Sequence, residues 1–293
     1  MRERLRLRLG DRALAAARRL HRRPYVWLDY PYESTKRPRW GHGRPSHPQL
    51  RALLAGQREQ YRQVLEAIAA YREPLAAIPG ERTAPGEPCW RNRWLPGLDA
   101  AALYAFLRRR APARYLEVGA GMSTLFAARA RRDGDLPTCI AAIDPQPREG
   151  AGAVADELVR QPLQDTDLGV FAELQAGDVV LFDGSHRAVM NSDVVAFHLE
   201  VLPQLPAGVL VGVHDVFLPD DYLPEWSDWR YSEQYLLAAM LLANAPFLRP
   251  ILPGWYASHD DELASIVDPL FGEPNLAGAD RRGFAFWLET AGA

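Results

Sequence analysis

The sequence predicts an α/β protein built on a doubly wound, mostly parallel β-sheet. Stretches with helical periodicity alternate with short apolar runs in the second half of the chain, and this alternation is typical of a parallel sheet covered by helices on both faces. Each run is followed directly by Gly, Asp or His, which indicates that the strands end in loops; the runs are 115–118, 139–143, 179–182 and 209–213. Segments 247–258 and 283–290 predict further strands.

The length of 293 residues and the 48% hydrophobic content allow one full α/β domain with an accessory segment. We place the boundary after residue 87, so that 88–293 is the sheet domain and 1–87 is an extension. Within the extension, 1–23 carries nine arginines, which favours a solvated amphipathic helix or a partly disordered start over an arm that binds an anionic surface. An aromatic segment at 25–48 suits an ordered lid, and 50–72 has helical periodicity.

The charge excludes one broad class of function. A net charge of -3 and a pI near 6.2 argue against a general nucleic-acid binder, whose affinity comes mainly from neutralising phosphates. Cys89 and Cys139 have neither zinc-site nor disulfide-framework spacing. Without a long apolar run or a secretory signal, we expect a cytoplasmic protein with no membrane span, and a homo-oligomer is compatible with the composition.

A glycine-rich loop follows the first strand of the predicted sheet. Gly119 and Gly121 allow a sharp turn and the close approach of a ligand, and Ser123 opens the next helix, whose free N–H groups favour a nucleotide-like molecule. Thr124 occupies the position of the third glycine in a dinucleotide fingerprint, which weakens an NAD site. Glu117 would repel a pyrophosphate but attract the cationic amino-acid part of S-adenosylmethionine (SAM).

The next strand ends in Asp144, about 25 residues after the loop, where a carboxylate could accept hydrogen bonds from two ribose hydroxyls. Together with the loop, this acid predicts a SAM site formed by Glu117, Gly119, Gly121, Ser123 and Asp144. The alternative is that the glycines serve only a tight strand-to-helix turn.

Four segments give the chain a resemblance to the class I SAM-dependent methyltransferases, and within them to a bacterial group that acts on small molecules. They are 106–130, 141–148, 177–226 and 230–241, and the resemblance covers roughly residues 88–257. It implies a Rossmann-like, seven-stranded sheet with an antiparallel last strand, which 283–290 could supply. It also implies SAM as the cofactor and leaves the methyl acceptor open.

Ionisable side chains follow two further strands, as Asp183 and His186 after one and His214 and Asp215 after the other. In a doubly wound sheet these strand ends are neighbours. His186, and with less preference His214, is the candidate base for deprotonating an acceptor, because an imidazole needs little tuning to act at neutral pH. The alternatives are a turn residue for His186 and a buried residue that orders its loop for His214.

The same strand ends suggest a metal site. Catechol-type O-methyltransferases hold magnesium with acids at these places, so the resemblance implies that Asp183 and Asp215 could bind magnesium or another divalent cation. Asp183 could instead contact the cofactor or cap a helix. If a histidine is a ligand, Mn, Fe or Zn becomes the better candidate.

These observations favour a SAM-dependent O-methyltransferase that acts on a small-molecule or glycan-type hydroxyl. The aromatic and acidic segment 219–235 could shape the acceptor pocket, and 89–92 could cover the cofactor. The alternatives are an NAD-dependent oxidoreductase and a non-catalytic SAM-binding protein. We expect no nucleic-acid partner.

Overall fold

A computed structural model describes residues 37–148 and 150–291. The arginine-rich start and residues 25–36 of the predicted lid lie outside the described residues. From Arg37 onward the described chain forms one compact unit, and the boundary that we placed after residue 87 falls inside it.

The sheet has seven strands in the order β3-β2-β1-β4-β5-β7-β6. Strand β7 runs antiparallel to both of its neighbours, whereas the first five strands in chain order pair in parallel. This confirms the predicted Rossmann-like α/β class with its antiparallel last strand. The strands are β1 (Arg114–Val118), β2 (Cys139–Ile143), β3 (Glu157–Val159), β4 (Val179–Phe182), β5 (Leu210–Val213), β6 (Leu248–Pro253) and β7 (Phe286–Thr290).

Helices precede the sheet and cover both of its faces. Four lie ahead of β1: α1 (Pro48–Ala55), α2 (Arg58–Ala69), α3 (Arg72–Ala76) and α4 (Gly97–Arg110). The others lie between strands: α5 (Met122–Gly134), α6 (Ala151–Val154), α7 (Gly169–Ala172), α8 (Asp193–Ala196), α9 (Glu233–Leu242), α10 (Gly254–Ser258), α11 (Asp261–Ser265) and α12 (Asp268–Phe271). Helices α1 and α2 correspond to the segment 50–72, for which the sequence predicts helical periodicity.

Alternating side chains of the strands divide the core into two layers. On one face, Tyr115 of β1 packs with Tyr61 of α2 and Phe126 of α5. On the other, Phe182 of β4 stacks on Phe197, with ring centroids 4.2 Å apart. Side chains of α2 and of β1 pack together in the same layer of the core. The helices before residue 87 therefore help to hold β1 in position. In the described part of the chain no helix is long and apolar enough to cross a membrane.

Candidate active site

The turn between β1 and α5 forms the predicted glycine loop. Gly119 has a φ of +88°, and a Cβ there would lie 2.2 Å from the backbone oxygen of Asp183, so a side chain is excluded on both counts. Thr124 lies at the position that the third glycine has in a dinucleotide-binding loop. Its Oγ1 accepts a hydrogen bond from the N–H of Gly121 at 2.9 Å and donates to Glu117, so it bridges the loop to the strand.

A cavity of about 610 Å³ opens beside this turn, and we call it the loop cavity. Asp144 lies in its wall, where its carboxylate accepts hydrogen bonds from the N–H groups of Ala120 at 2.7 Å and Gln146 at 2.6 Å. These bonds fix the carboxylate at the carboxyl end of β2. The predicted site residues that line the loop cavity are Gly119, Gly121, Asp144, Asp183 and His186.

Glu117 and Ser123 lie behind the loop and do not line the cavity. Glu117 is completely buried and accepts hydrogen bonds from the hydroxyls of Tyr115, at 2.7 Å, and Thr124. Burial raises the pKa of this carboxyl to about 7, although the hydrogen bonds from Thr124 and Tyr115 oppose the rise. In this arrangement Glu117 holds the loop in shape, and its direct contact with a cofactor stays a prediction.

Glu117→Gln is expected to flatten the pH dependence of stability. The folded protein holds the proton of the Glu117 carboxyl more tightly than the unfolded chain does. The resulting contribution to the free energy of unfolding is fully present below pH 4.5 and is lost as the pH rises towards 7. For a pKa raised by this amount, the free energy of unfolding of the wild type falls by roughly 3 kcal/mol over this pH range. Urea unfolding at several pH values between 4 and 8 measures it. The exposed Glu66→Gln on α2 is the control, and an equal pH slope in the wild type and Glu117→Gln would contradict the prediction.

The four ionisable residues predicted at the ends of β4 and β5 form one cluster, in which His186, His214 and Asp215 are buried and Asp183 is partly exposed. Nε2 of His186 lies 3.3 Å from Oδ1 of Asp183 and 3.4 Å from Oδ2 of Asp215. Nδ1 of His214 lies 3.4 Å from the same Asp183 oxygen and 3.3 Å from Oδ1 of Asp215. The neighbouring strand ends therefore meet as the sequence predicts.

Two further carboxylates complete the cluster, and neither was predicted. Glu233, the first residue of α9, lies 2.9 Å from Nδ1 of His186 through its Oε2 and is completely buried. Asp99 in α4 lies 3.4 Å from Nε2 of His214 and accepts hydrogen bonds from the N–H groups of Phe284 and Ala285. Glu233 therefore fixes the plane of the His186 ring so that Nε2 faces the two aspartates.

The carboxylates determine the charge of the two histidines. Burial lowers the pKa of His186, but Asp183, Glu233 and Asp215 outweigh it and raise the pKa to about 10. The pKa of His214 is also raised well above its ordinary value, because Asp183 and Asp215 overcome the effect of burial. Burial raises the pKa of Asp215, whereas the two histidines hold the pKa of Asp183 below its ordinary range.

The backbone at this cluster carries strain that the sequence did not reveal. His186 has a φ of +59° and Asp215 a φ of +58°, in the left-handed region that few residues other than glycine adopt. Such conformations cost free energy and persist where the surrounding structure holds them. Here the N–H groups of Ser232 and Glu233 donate to the backbone oxygen of His186, at 2.8 Å and 3.3 Å.

A second cavity, of about 390 Å³, borders the cluster from the other side. We call it the aromatic cavity, because its walls include Trp94, Trp226, Trp229, Tyr231 and Phe284. Three of these rings come from the predicted acceptor segment 219–235. The two cavities share Arg148, Asp183, His186 and Tyr231.

The described part of the predicted lid lies elsewhere. Residues 37–45 line neither cavity, and the N–H of Trp40 instead donates to Oδ2 of Asp221 at 3.1 Å. Nε2 of His42 lies 2.8 Å from the backbone oxygen of Asp221. These contacts hold the segment against the loop that follows β5.

Asp183, His186 and Asp215 each offer a ligand atom, and these atoms lie within 4.8 Å of one another. Three such atoms on one side of a cavity fit a divalent cation. A site that includes an imidazole suits Mn, Fe or Zn better than magnesium. The predicted pair of aspartates thus gains His186 as a third candidate ligand.

The sheet order, the antiparallel β7 and the cavity at the β1 turn define a Rossmann-like class I methyltransferase fold. Residues 116–216 match the family model described as a methyltransferase domain. The matched residues contain the glycine loop and all four ionisable residues of the cluster that the sequence predicted. A search of curated protein sequences found no match to this chain.

Several solved structures resemble the chain. The SAH-bound methyltransferase PaMTH1 of Podospora anserina is 18% identical and covers 52% of this chain and 72% of its own, with a TM-score of 0.38. The SAM-bound O-methyltransferase TomG of Streptomyces achromogenes, involved in tomaymycin synthesis, is 14% identical and covers 84% and 99%, with a TM-score of 0.36. The plantazolicin methyltransferase BpumL is 13% identical and covers 82% and 99%, with a TM-score of 0.39. Likenesses this distant carry no weight for substrate or mechanism.

Proposed function

We propose that the protein transfers the methyl group of SAM to a hydroxyl of a small molecule or glycan. The observation that carries this proposal is the cluster of Asp183, His186, His214 and Asp215 between the two cavities. A donor in the loop cavity and an acceptor in the aromatic cavity would meet at the residues that the cavities share. Both reactants would then be held out of water and in line, which supplies much of the rate of methyl transfer.

The chemical step forms a bond from the acceptor oxygen to the methyl carbon and breaks the bond from that carbon to sulfur. SAM becomes S-adenosylhomocysteine (SAH), and the hydroxyl proton has to leave. His186 is the better candidate for receiving this proton, because it lines both cavities, whereas His214 lines only the aromatic cavity and is packed against Asp99, Asp183 and Asp215. Since the pKa of His186 is raised to about 10, this imidazole accepts the proton only after it has lost its own, and turnover by this route should rise as the pH approaches 10. In this proposal His214 is the cation that keeps the two aspartates in place.

A divalent cation is the second way to lower the acceptor's proton affinity. When bound at Asp183, His186 and Asp215, it would polarise and orient the hydroxyl oxygen. The carboxylates around His186 favour a positive charge here and raise its pKa to about 10, and a bound cation would take the place of the proton that they favour. Glu233 would orient the imidazole in either case.

Two measurements test the proposal. Calorimetric titration with SAH, SAM and NAD should give binding of SAH and SAM only, and binding of NAD alone would reject it in favour of an oxidoreductase. A screen of hydroxylated aromatic molecules and sugars with labelled SAM should then find a labelled product. SAH binding without transfer to any hydroxyl would favour a non-catalytic SAM-binding protein.

Chelation decides between the two routes for the proton. After exhaustive dialysis against a chelator, turnover that persists assigns proton removal to a histidine of the cluster, and His186→Ala then distinguishes His186 from His214. Turnover that is lost, and that Mn²⁺ or Mg²⁺ restores, assigns the cluster to a cation.

A further inference from the structure

An arginine that no sequence pattern distinguishes lies where the two cavities meet. Arg148 follows β2 and lines both the loop cavity and the aromatic cavity. Its N–H donates to the backbone oxygen of Ala120 at 3.0 Å, which ties it to the glycine loop. A Cβ built on Gly121 would come within 3.3 Å of Nη1 of Arg148, so the guanidinium lies against the part of the loop that approaches a ligand.

The guanidinium of Arg148 is ordered by an aromatic ring. Its Cζ lies 3.7 Å from the centroid of the Trp94 ring, and no carboxylate of the described residues pairs with it. Other arginines around the sheet pair with acids, as Arg131 does with Asp156 and Arg132 with Glu87. Stacking on an indole fixes the plane of a guanidinium and leaves its N–H groups free to bind a planar anion.

Trp94 is itself held in position by a structured turn. Oδ1 of Asn92 accepts hydrogen bonds from the N–H groups of Trp94 at 2.9 Å and Leu95 at 2.8 Å, and its Nδ2 donates to the backbone oxygen of Cys89 at 2.9 Å. The sequence predicts that the segment 89–92 could cover the cofactor. In the structure its residue Asn92 holds the backbone of Trp94, whose ring lies against Arg148.

The charges that line the loop cavity indicate what Arg148 would bind. Asp144, Asp183 and Asp193 are acidic and would attract hydroxyls or positive groups. Arg187 is the other arginine of this cavity, but it donates to the backbone oxygens of Trp229 at 2.9 Å and Ser185 at 3.0 Å. The His186 imidazole of this cavity already faces Asp183 and Glu233. Arg148 is therefore left to receive a negative group, and the carboxylate of the methionine moiety is the negative group of SAM.

We propose that Arg148, stacked on Trp94, is a carboxylate-binding subsite that takes the carboxylate of the methyl donor. This inference rests on the proposed function, because it requires SAM to bind in the loop cavity. It adds a residue from the β2 loop and a ring from the segment before α4 to the cofactor site. An acceptor carboxylate in the aromatic cavity is the other source of the same chemistry, and the choice of ligands below distinguishes the two.

The test compares SAH with its decarboxylated analogue, which keeps the adenosine, the sulfur and the amine. Calorimetric titration of Arg148→Ala should show an affinity for SAH that is lower by about 10-fold to 100-fold, the usual effect of losing a charged hydrogen bond. The affinity for the decarboxylated analogue should stay within about 2-fold of the wild type. Arg148→Lys, which keeps the charge but loses the paired N–H groups, should lose less for SAH than Arg148→Ala.

The control variant is Arg109→Ala, which removes an exposed arginine at the end of α4. It should bind both ligands as the wild type does. Equal losses for the two ligands in Arg148→Ala, or an unchanged affinity for SAH, would overturn the subsite as a site for the donor's carboxylate. A wild type that binds neither ligand would reject the proposed function itself, which is a different result.

Trp94→Leu provides an independent readout, because it leaves the charge in place and removes the stacking surface. We expect the affinity for SAH to fall by about 3-fold to 10-fold, as for a lost cation–π contact, with no change for the decarboxylated analogue. Trp94→Phe should restore most of the loss. An affinity for SAH that is the same in Trp94→Leu and the wild type would show that the stacking does not contribute to the subsite.

Discussion

His186→Ala is expected to lower methyl transfer by about 100-fold or more, the range seen when a general base is removed. The reason is that Nε2 of His186 is the imidazole nitrogen facing Asp183 and Asp215 where the two cavities meet. Turnover is measured with labelled SAM and an acceptor found in the screen. The affinity for SAH should change by less than about 3-fold, because the imidazole contributes to the chemical step more than to cofactor binding.

The control for this variant is His259→Ala, which removes a histidine that packs against Trp255 outside both cavities, with ring centroids 3.8 Å apart. It should keep the turnover of the wild type. If His186→Ala also keeps its turnover, the proton is removed by His214 or by a bound cation, and the role that we assign to His186 is wrong.

Gly119→Ala is expected to abolish cofactor binding, with a loss in SAH affinity of at least about 100-fold, because the loop must move to admit a Cβ. The new methyl group would lie 2.2 Å from the backbone oxygen of Asp183. Relief of this contact would separate the ends of β1 and β4, which carry the loop and the cluster. Calorimetry with SAH and thermal unfolding measure the two consequences.

Gly177→Ala is a matched control that isolates the cost of a positive φ from the steric contact with Asp183. Gly177 also has a positive φ, of +99°, but a Cβ there would meet no atom within 4 Å. It should lower the free energy of unfolding by about 1 kcal/mol, the cost of a left-handed alanine, and leave SAH affinity unchanged. If Gly119→Ala is no worse than Gly177→Ala, the close approach of Asp183 does not determine the shape of the loop.

The strands of the sheet were largely predictable because each carries a local signal. The four apolar runs became β1, β2, β4 and β5, and the segments near the C-terminus became β6 and β7. Strand β3 was missed, since Glu157–Val159 has three residues that are mostly exposed at the edge of the sheet. A strand this short has no periodicity that a sequence could display.

The residues of the candidate site also differ in whether the sequence gives a local signal for them. Asp183, His186, His214 and Asp215 each follow a recognisable strand, so the rule that parallel strands end at one edge predicted their meeting. Asp99, Glu233 and Arg148 come from helices and a loop with no such rule, and their neighbours in the sequence do not distinguish them. Asp99 lies near the start of α4, where an acid would ordinarily be interpreted as a surface residue that stabilises the helix.

The surroundings of Glu117 depend on tertiary packing. Its position before the glycines suggested a contact with the cationic part of SAM, whereas the structure buries it beneath the loop against Tyr115 and Thr124. The alternation of a strand determines that Glu117 and Val118 face opposite sides of the sheet. Which side opens onto a cavity depends on how α5 packs there, and this is a tertiary property.

The sequence by itself determined the class of fold, the glycine loop and the two strand ends that carry ionisable groups, because these are encoded in short, contiguous patterns. Only the tertiary structure decided which carboxylates surround each histidine, which side chains line the two cavities, and that Arg148 stacks on Trp94. Those contacts join residues that are far apart in the chain, such as Asp99 with His214 and His186 with Glu233. They depend on packing of the whole core, which no local pattern records.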